Sequence, residues 1–184
     1  MPRLRSAMMA TLVMMASPAL ADAPAACPGG YAPAVRIGGT VAHPLKLTLA
    51  DLQARPSTRL TVSYYSGKSG LVTETYTGVL VSDLLDEAEV KLSAGQKNDL
   101  LRRYLLVTAT DCYQVVVAVP EVLSTFGGQA AILAYADGDG HPLDDSEGMA
   151  RLIVPGDKSG GRSVSNVTHI IVRTPGPAPQ TTAP

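Results

Sequence analysis

Two cysteines carry the most reactive side chains in this chain of 184 residues. Cys27 lies in a stretch rich in proline and glycine, and Cys112 lies in Asp111-Cys112-Tyr113 at the end of a strand-like segment. In an oxidising compartment, two cysteines more often form one disulfide than remain free thiols. We therefore expect Cys27 and Cys112 to pair. The alternatives are that Cys112 is a reactive thiol, a metal ligand or a small buried residue.

Other motif-like strings have the wrong spacing for the chemistry they suggest. Gly67-Lys68-Ser69 ends like a phosphate-binding loop, but that motif needs a glycine where Val62 stands and a helix after it. Asp137-Gly138-Asp139-Gly140 is better explained by a hairpin turn than by a calcium loop, because His141 stands where that loop needs an acid. The histidines lack short metal-ligand spacing; they are His43, His141 and His169. We therefore expect no metal site and no nucleotide site.

The composition limits the classes of function. The chain is 46% apolar and 17% charged, with a formal net charge of −1. A disordered chain would be less apolar and more highly charged. A nearly neutral protein has no general attraction to nucleic acid or to an anionic membrane surface. The composition therefore indicates a folded domain whose partner is not a nucleic acid.

The first 21 residues have the pattern of a secretory signal peptide. Arg3 and Arg5 precede an apolar run over residues 7–16, and Ala19-Leu20-Ala21 fits a cleavage site. The run is shorter than the roughly 20 apolar residues of a membrane span, which argues against a membrane anchor. Leu4 separates the two arginines, so the twin-arginine export pattern is absent. We expect Sec-type export to the periplasm, with no membrane span after cleavage.

The remaining sequence divides into an irregular leader over 22–34, one domain over 35–173 and a disordered tail over 174–184. Short runs with alternating or β-branched residues predict strands. Helical spacing and capping residues predict a few short helices. The predicted strands are 35–43, 60–65, 71–76, 104–109, 113–119, 130–136, 150–154 and 167–172, and the predicted helices are 49–54, 80–88, 94–102 and a short turn from Pro120. Strands in neighbouring pairs with few helices indicate an α+β domain with mixed sheets.

Four segments of the domain resemble the oxidoreductase molybdopterin-binding domain, which has the sulfite oxidase fold. Their order and spacing carry the resemblance, which covers about residues 35–173. The segments are Tyr76-Thr77-Gly78-Val79-Leu80; Thr110-Asp111-Cys112-Tyr113 with Val119-Pro120-Glu121; Leu133-Ala134-Tyr135 with Gly140-His141-Pro142-Leu143; and residues 148–156 followed by Gly161-Arg162-Ser163-Val164. The resemblance implies a single α+β domain of the sulfite oxidase type, in a short exported form that stands alone.

The resemblance also implies a molybdenum-pterin cofactor, with a cysteine thiolate completing the sulfur ligands of the metal. In the family that cysteine follows the strand that matches Leu60 to Tyr65, where this chain has Tyr64-Tyr65-Ser66-Gly67-Lys68. The family also places a lysine on the pterin phosphate at the position of Ser165. Cys112 stands where the family has a glycine, so its position is not that of the missing ligand. This chain therefore lacks two of the side chains with which the family binds the cofactor, the cysteine and the lysine.

The residues at the implied cleft still favour a ligand. Four cations could attract an anion, backbone amides could donate to it, and tyrosines could line the cleft. The candidate binding residues are Tyr64, Tyr65, Ser66, Lys68, Asp111, Tyr113, Arg151, Gly156, Lys158 and Arg162. The alternative is that these cations are solvated loop residues, an alternative that Asp157 favours for its neighbour Lys158.

Two hypotheses of function follow. In the first, which we favour, the protein has no cofactor and binds a small anion or a protein partner in the family cleft. In the second, it is a molybdenum-molybdopterin oxidoreductase that transfers an oxygen atom and uses a tyrosine or serine oxygen as the substituted metal ligand. A Sec signal exports unfolded chains, which could not carry a cofactor made in the cytoplasm, and this favours the first. A thiol redox protein is the weakest hypothesis, because the sequence has no Cys-x-x-Cys.

Overall fold

A computed structural model describes residues 27–127 and 130–176. The expected signal peptide, residues 22–26 of the expected leader and residues 177–184 of the expected tail lie outside the described residues. Residues 27–34 form no strand or helix before the first strand begins. None of the helices in the described part is long and apolar enough to cross a membrane.

Two β-sheets form the framework of the domain; the five-stranded sheet is mixed and the four-stranded sheet is antiparallel. In chain order the strands are β1 (Val35–Gly39), β2 (Leu45–Leu47), β3 (Thr58–Ser66), β4 (Gly70–Leu80), β5 (Tyr104–Ala109), β6 (Gln114–Ala118), β7 (Ile132–Asp137), β8 (Arg151–Ile153) and β9 (Val167–Arg173). One sheet has the order β2-β1-β9-β5-β6 and the other has the order β3-β4-β7-β8. Strands β1 and β9 are parallel and the remaining pairs are antiparallel. The predicted α+β class with mixed sheets is confirmed.

Three short α-helices connect the sheets. They are α1 (Leu49–Gln53), α2 (Val81–Ala88) and α3 (Val119–Val122). Thr48 caps α1: its hydroxyl group accepts a hydrogen bond from the Asp51 amide at 3.3 Å, and the Asp51 carboxylate accepts one from the Thr48 amide at 2.8 Å. Pro120 lies in the first turn of α3, where its missing N–H removes no helical hydrogen bond.

The structure differs from two of the predicted elements. The expected helix over 94–102 is only a 3-10 helix over Asp99–Arg102, because Asn98 before it adopts a left-handed conformation with φ of 53°. The expected strand over 35–43 ends at Gly39, whose φ of 86° turns the chain. A separate strand, β2, follows and returns antiparallel to β1.

The core lies mainly between the inner faces of the two sheets. Alternate residues of β5 and β9 point into it, among them Leu105, Val107 and Ile170. The other face of the four-stranded sheet carries a second, smaller cluster of buried side chains. That cluster contains Val62, Tyr64, Tyr76, Ile132, Ala134 and Ile153. Burial on both faces explains why β7 is apolar along its length instead of alternating.

Candidate functional site

The turn between β3 and β4 places four of the predicted site residues. These strands form a hairpin in which Tyr65 pairs with Leu71 and Ser66 pairs with Gly70. The Ser66 hydroxyl group accepts hydrogen bonds from the amides of Lys68 and Ser69, both at 3.3 Å, which fixes the turn. Tyr64 points inward and is buried, whereas Tyr65 is 61% exposed. Lys68 is exposed at the turn.

Arg151 on β8 is the centre of a hydrogen-bonded network beneath this hairpin. One terminal nitrogen of its guanidinium group, Nη2, donates to the Tyr64 hydroxyl group at 3.1 Å, and the other, Nη1, donates to the Tyr76 hydroxyl group at 3.1 Å. Glu147 forms an ion pair with Arg151. Glu74 accepts hydrogen bonds from both tyrosine hydroxyl groups. Burial is the largest cause that raises the pKa of Tyr76 far above its usual value, and the hydrogen bond to Glu74 is the second. The hydroxyl group of Tyr76 therefore stays protonated.

A polar cavity of about 340 Å³ lies beside this network. Lys68 and Arg151 line it together with Tyr64, Ser66 and Ser69, and so do three carboxylates, Glu74, Asp144 and Glu147. The Arg151 charge is balanced by Glu147, whereas Lys68 has no ion-pair partner among the described residues. This cavity therefore offers one free cation at its rim and a neutralised cation at its base.

Arg162 is held by acidic residues at a second cavity. Its Nε and Nη2 donate to the two oxygens of Asp157 at 2.8 and 2.7 Å, and its Nη1 lies 3.2 Å from Glu121 Oε2. The hydrogen bond to Asp157 is the main cause that raises the pKa of Arg162. Gly156 and Arg162 line this cavity of about 300 Å³ with Phe126 and Val154. The guanidinium group is thus already neutralised by carboxylates.

Lys158 and Asp157 lie in the same loop but act separately. The Lys158 carbonyl oxygen accepts a hydrogen bond from the Tyr65 amide at 2.9 Å, which attaches the loop to the end of β3. Asp157 binds Arg162, and no ion pair joins it to Lys158 in the described part of the chain. Lys158 itself is exposed.

The predicted disulfide is confirmed. Cys27 and Cys112 are bonded, with their Cα atoms 5.3 Å apart. Cys112 has a φ of 65°, a conformation that favours glycine. Beside it, Asp111 Oδ1 accepts a hydrogen bond from the Tyr113 amide at 2.9 Å, and the Tyr113 hydroxyl group donates to the Gly161 carbonyl oxygen at 2.6 Å. Asp111 and Tyr113 line a third cavity of about 460 Å³, which borders the first at Ser146.

Eight of the ten predicted residues therefore line three separate cavities instead of one cleft, and Tyr65 and Lys158 line none of the three. Sequence reasoning missed three partners of the Arg151 network. They are Glu74, Tyr76 and Glu147. The spacing of Glu147 and Arg151, four residues apart, was the one available signal, whereas the tyrosine contacts join residues 75 and 87 positions apart.

The structure also brings Asp137, Asp139 and His141 together, with one potential ligand atom from each within 4.8 Å of the others. Asp137 Oδ1 accepts hydrogen bonds from the amides of Asp139 at 2.8 Å and His141 at 2.9 Å. The bond from the His141 amide is the main cause that lowers the pKa of Asp137. These contacts are those of the hairpin-like turn that the sequence predicted.

Comparisons with known proteins agree with this architecture. A family model described as "Oxidoreductase molybdopterin binding domain" matches residues 32–178. Among solved structures, the sulfane dehydrogenase SoxCD from Paracoccus pantotrophus superposes with a TM-score of 0.62 and 24% sequence identity. The match covers 76% of this chain and 37% of that chain, so this protein spans little more than a third of its length. No curated protein matches the sequence.

Proposed function

The chain belongs to the oxidoreductase molybdopterin binding domain family, and we propose that it is a periplasmic member that binds a small anion or a protein partner instead of the molybdenum cofactor. One observation carries this proposal. The chain has two cysteines, and both are used in the disulfide. A thiolate ligand for molybdenum is therefore lacking while the disulfide is formed.

The side chains at the implied metal position do not fit the cofactor. The Tyr64 hydroxyl group is already hydrogen-bonded to Arg151 and Glu74. The Ser66 hydroxyl group accepts two backbone amides of its own turn. Hard hydroxyl oxygens are poor substitutes for the soft sulfur ligand that the family uses. Ser165 also lacks the positive charge that would bind the pterin phosphate. We derive no oxygen-atom transfer through these residues.

A small anion is supported by the cavity at the β3–β4 turn. Lys68 lies at its rim without an ion-pair partner among the described residues, and the Ser69 side chain lines the same cavity. An ammonium group and a hydroxyl group are both donors that an oxyanion accepts. The three carboxylates of the cavity limit this attraction to a ligand that binds at the rim.

A protein partner is supported by a different feature of the same hairpin. Tyr65 is 61% exposed and its cross-strand partner Leu71 is 77% exposed. Tyrosine is enriched in the central contacts of protein interfaces, and an exposed apolar side chain beside it adds surface that a partner can bury. The exposed pair Tyr65 and Leu71 would therefore be the contact surface.

The periplasmic location is supported by the disulfide together with the signal peptide that the sequence predicts. Disulfides persist in the bacterial periplasm and are rare in the cytosol. The bond lies between residues 85 positions apart and attaches the start of the described chain to the domain.

Anion binding at the β3–β4 turn is tested by titrating the isotope-labelled mature protein with sodium sulfate. The NMR amide resonances of residues 66–69 are followed during the titration. We expect sulfate to shift these resonances in the wild type and in the control Lys46→Ala, which removes an exposed lysine on β2. Lys68→Ala should abolish the shift. No shift in the wild type would exclude the anion, and an equal shift in Lys68→Ala would exclude this site for it.

The partner is tested by cross-linking in the periplasm of the native host. We expect the wild type to give one defined cross-linked product, which Leu71→Asp loses and Leu92→Asp retains. Leu92 is an exposed leucine in the loop after α2 and serves as the matched control. Loss of the product in both variants, or in neither, would contradict the proposed surface.

A further inference from the structure

The cavity of about 460 Å³ beside the disulfide has a wall that the sequence did not predict. Gly29 and Gly30 line it together with Ser163, Ser165 and Asn166. Its volume is within the range of about 300–1,000 Å³ that is typical of small-molecule sites. Neither Arg162 nor Lys68 is among the residues that line it.

We call residues Cys27–Gly30 the leader strap, because they are attached across this cavity. The disulfide holds one end of the strap at Cys112. The Gly29 amide donates to the Thr110 carbonyl oxygen at 3.2 Å, and the Thr110 hydroxyl group donates to the Gly30 carbonyl oxygen at 2.8 Å. These bonds make the strap a fixed wall instead of a loose chain.

Two serines of the lining have unused hydrogen-bonding capacity. The hydroxyl groups of Ser163 and Ser165 have no hydrogen-bond partner within the described ranges, although both residues are half-buried. The side-chain amide oxygen of Asn166 also has no partner, but it is fully buried against Gly148 and is not accessible from the cavity. Half-buried hydroxyl groups without a protein partner are groups that a bound polar molecule can satisfy.

The charge of the lining excludes anions. Among the described residues that line the cavity, Asp111 alone has a charged side chain, and Oδ1 of its carboxylate accepts a hydrogen bond from the Tyr113 amide. The nearby guanidinium group of Arg162 is bound by Asp157 and Glu121. A phosphate or sulfate group would therefore meet a carboxylate without a compensating cation. The ring of Tyr113, fixed by its bond to Gly161, adds an apolar surface.

We propose that this cavity binds an uncharged small molecule that carries several hydroxyl groups, such as a monosaccharide or a cyclic polyol. The free hydroxyl groups of Ser163 and Ser165 exchange hydrogen bonds with it, Asp111 accepts from it, and the leader strap closes the site. This site is separate from the anion site at Lys68, and it does not depend on that site being occupied.

The test uses the oxidised mature protein, titrated separately with D-glucose, myo-inositol and sodium phosphate. Amide resonances of residues 109–113 and 163–166 report this cavity, and those of residues 66–69 report the Lys68 site. We expect glucose or inositol to shift the first set and phosphate to leave it unchanged. No shift with either neutral probe would overturn the proposal, and so would a larger shift with phosphate. A failure of sulfate at residues 66–69 would leave this result unaffected.

Variants locate the ligand within the cavity. Ser163→Ala combined with Ser165→Ala should weaken binding about fivefold or more, since two hydrogen bonds to the ligand are lost. Ser57→Ala, an exposed serine before β3, is the matched control and should bind as the wild type does. Cys27→Ser releases the strap and should also weaken binding severalfold. Unchanged affinity in the double variant or in Cys27→Ser would place the ligand outside this cavity and overturn the assignment.

Discussion

Gly160 lies against the ring of Tyr64 and leaves no room for a larger side chain. A Cβ atom at this position would be 2.6 Å from Cδ2 of the tyrosine ring. The same atom at Gly161 would come no closer than 3.9 Å to any neighbour, the nearest being the Tyr113 hydroxyl oxygen. Packing between Gly160 and Tyr64 therefore keeps the phenol aligned with Arg151.

We predict that Gly160→Ala lowers the free energy of unfolding by about 1–3 kcal/mol, because overpacking forces neighbouring groups to shift. Gly161→Ala should change it by less than about 0.5 kcal/mol. Urea unfolding of both variants measures the difference. Equal stabilities would mean that the Tyr64 ring moves freely and that its contact with Arg151 is not fixed.

Asp99 makes the free energy of unfolding depend on pH. It is buried with Arg103 and accepts a hydrogen bond from the Ser93 amide at 2.8 Å. That bond, followed by the one from Arg103, lowers the pKa of Asp99. A lowered folded-state pKa contributes stability that is present above the unfolded value and is lost as the pH falls through the folded value.

We therefore predict that the wild type loses stability as the pH falls below about 4, the unfolded pKa of an aspartate. Asp99→Asn should be less stable than the wild type at pH 7 and should lose less on acidification. Urea midpoints at neutral and acid pH measure both effects, with Asp145→Asn on the exposed 144–147 turn as the control. An acid dependence that Asp99→Asn leaves unchanged would assign the effect to other carboxylates.

The residue types at the site were predictable, but their partners were not. Tyr64, Lys68 and Arg151 were identified as neighbours, and they line one cavity. Lys158 and Arg162 were expected to add charge to the same cleft, yet Arg162 binds two carboxylates beside a different cavity. Ion pairing depends on which loops meet in the fold, and spacing in the sequence does not contain that information.

The disulfide sits in a turn whose backbone favours glycine. Cys112 adopts a φ of 65°, which costs a residue with a side chain about 1–2 kcal/mol in a left-handed conformation. The cysteine can bond the leader from this position, so the turn accepts an unfavourable conformation and gains a covalent link. Closing so long a loop stabilises a fold by about 4–5 kcal/mol in the chain-entropy model, which is disputed.

Substitutions at Cys112 can separate these two effects. In a Cys27→Ser background, which already lacks the disulfide, we predict that Cys112→Gly raises the free energy of unfolding by about 1 kcal/mol. Cys112→Ala in the same background keeps a Cβ atom and should give no such gain. Thermal or urea unfolding measures the three proteins. A glycine variant no more stable than the alanine variant would contradict the backbone account.

Strands were easier to predict than helices because their signals are local. Alternation over Leu60 to Tyr65 and β-branched residues over 104–109 lie within observed strands. The expected helix over 94–102 was wrong because Asn98 turns the chain. The order of the strands in the sheets could not be predicted from the sequence. Strand β1 lies beside β9, more than 120 residues later, and that pairing depends on the packing of the whole domain.

For the whole chain, we predict that export removes the first 21 residues. Mass spectrometry of the protein purified from the periplasm should give a mature chain that begins at Asp22, with two hydrogens missing because the disulfide is formed. Replacing Ala21 with an arginine should block this cleavage, because the signal peptidase requires a small residue there. Recovery of the uncleaved chain from the cytosol of the wild-type host would contradict the assignment to the periplasm.

We propose that this member of the family works without molybdenum, and the cofactor content of the native protein is the sharpest test of that proposal. The mature protein should be purified from the periplasm of its own host and analysed for molybdenum and tungsten, and for the fluorescence of the oxidised pterin. Our account predicts neither metal nor pterin above background. Near-stoichiometric metal and pterin would contradict it and would make the oxygens of Tyr64, Tyr65 and Ser66 the ligands to substitute next.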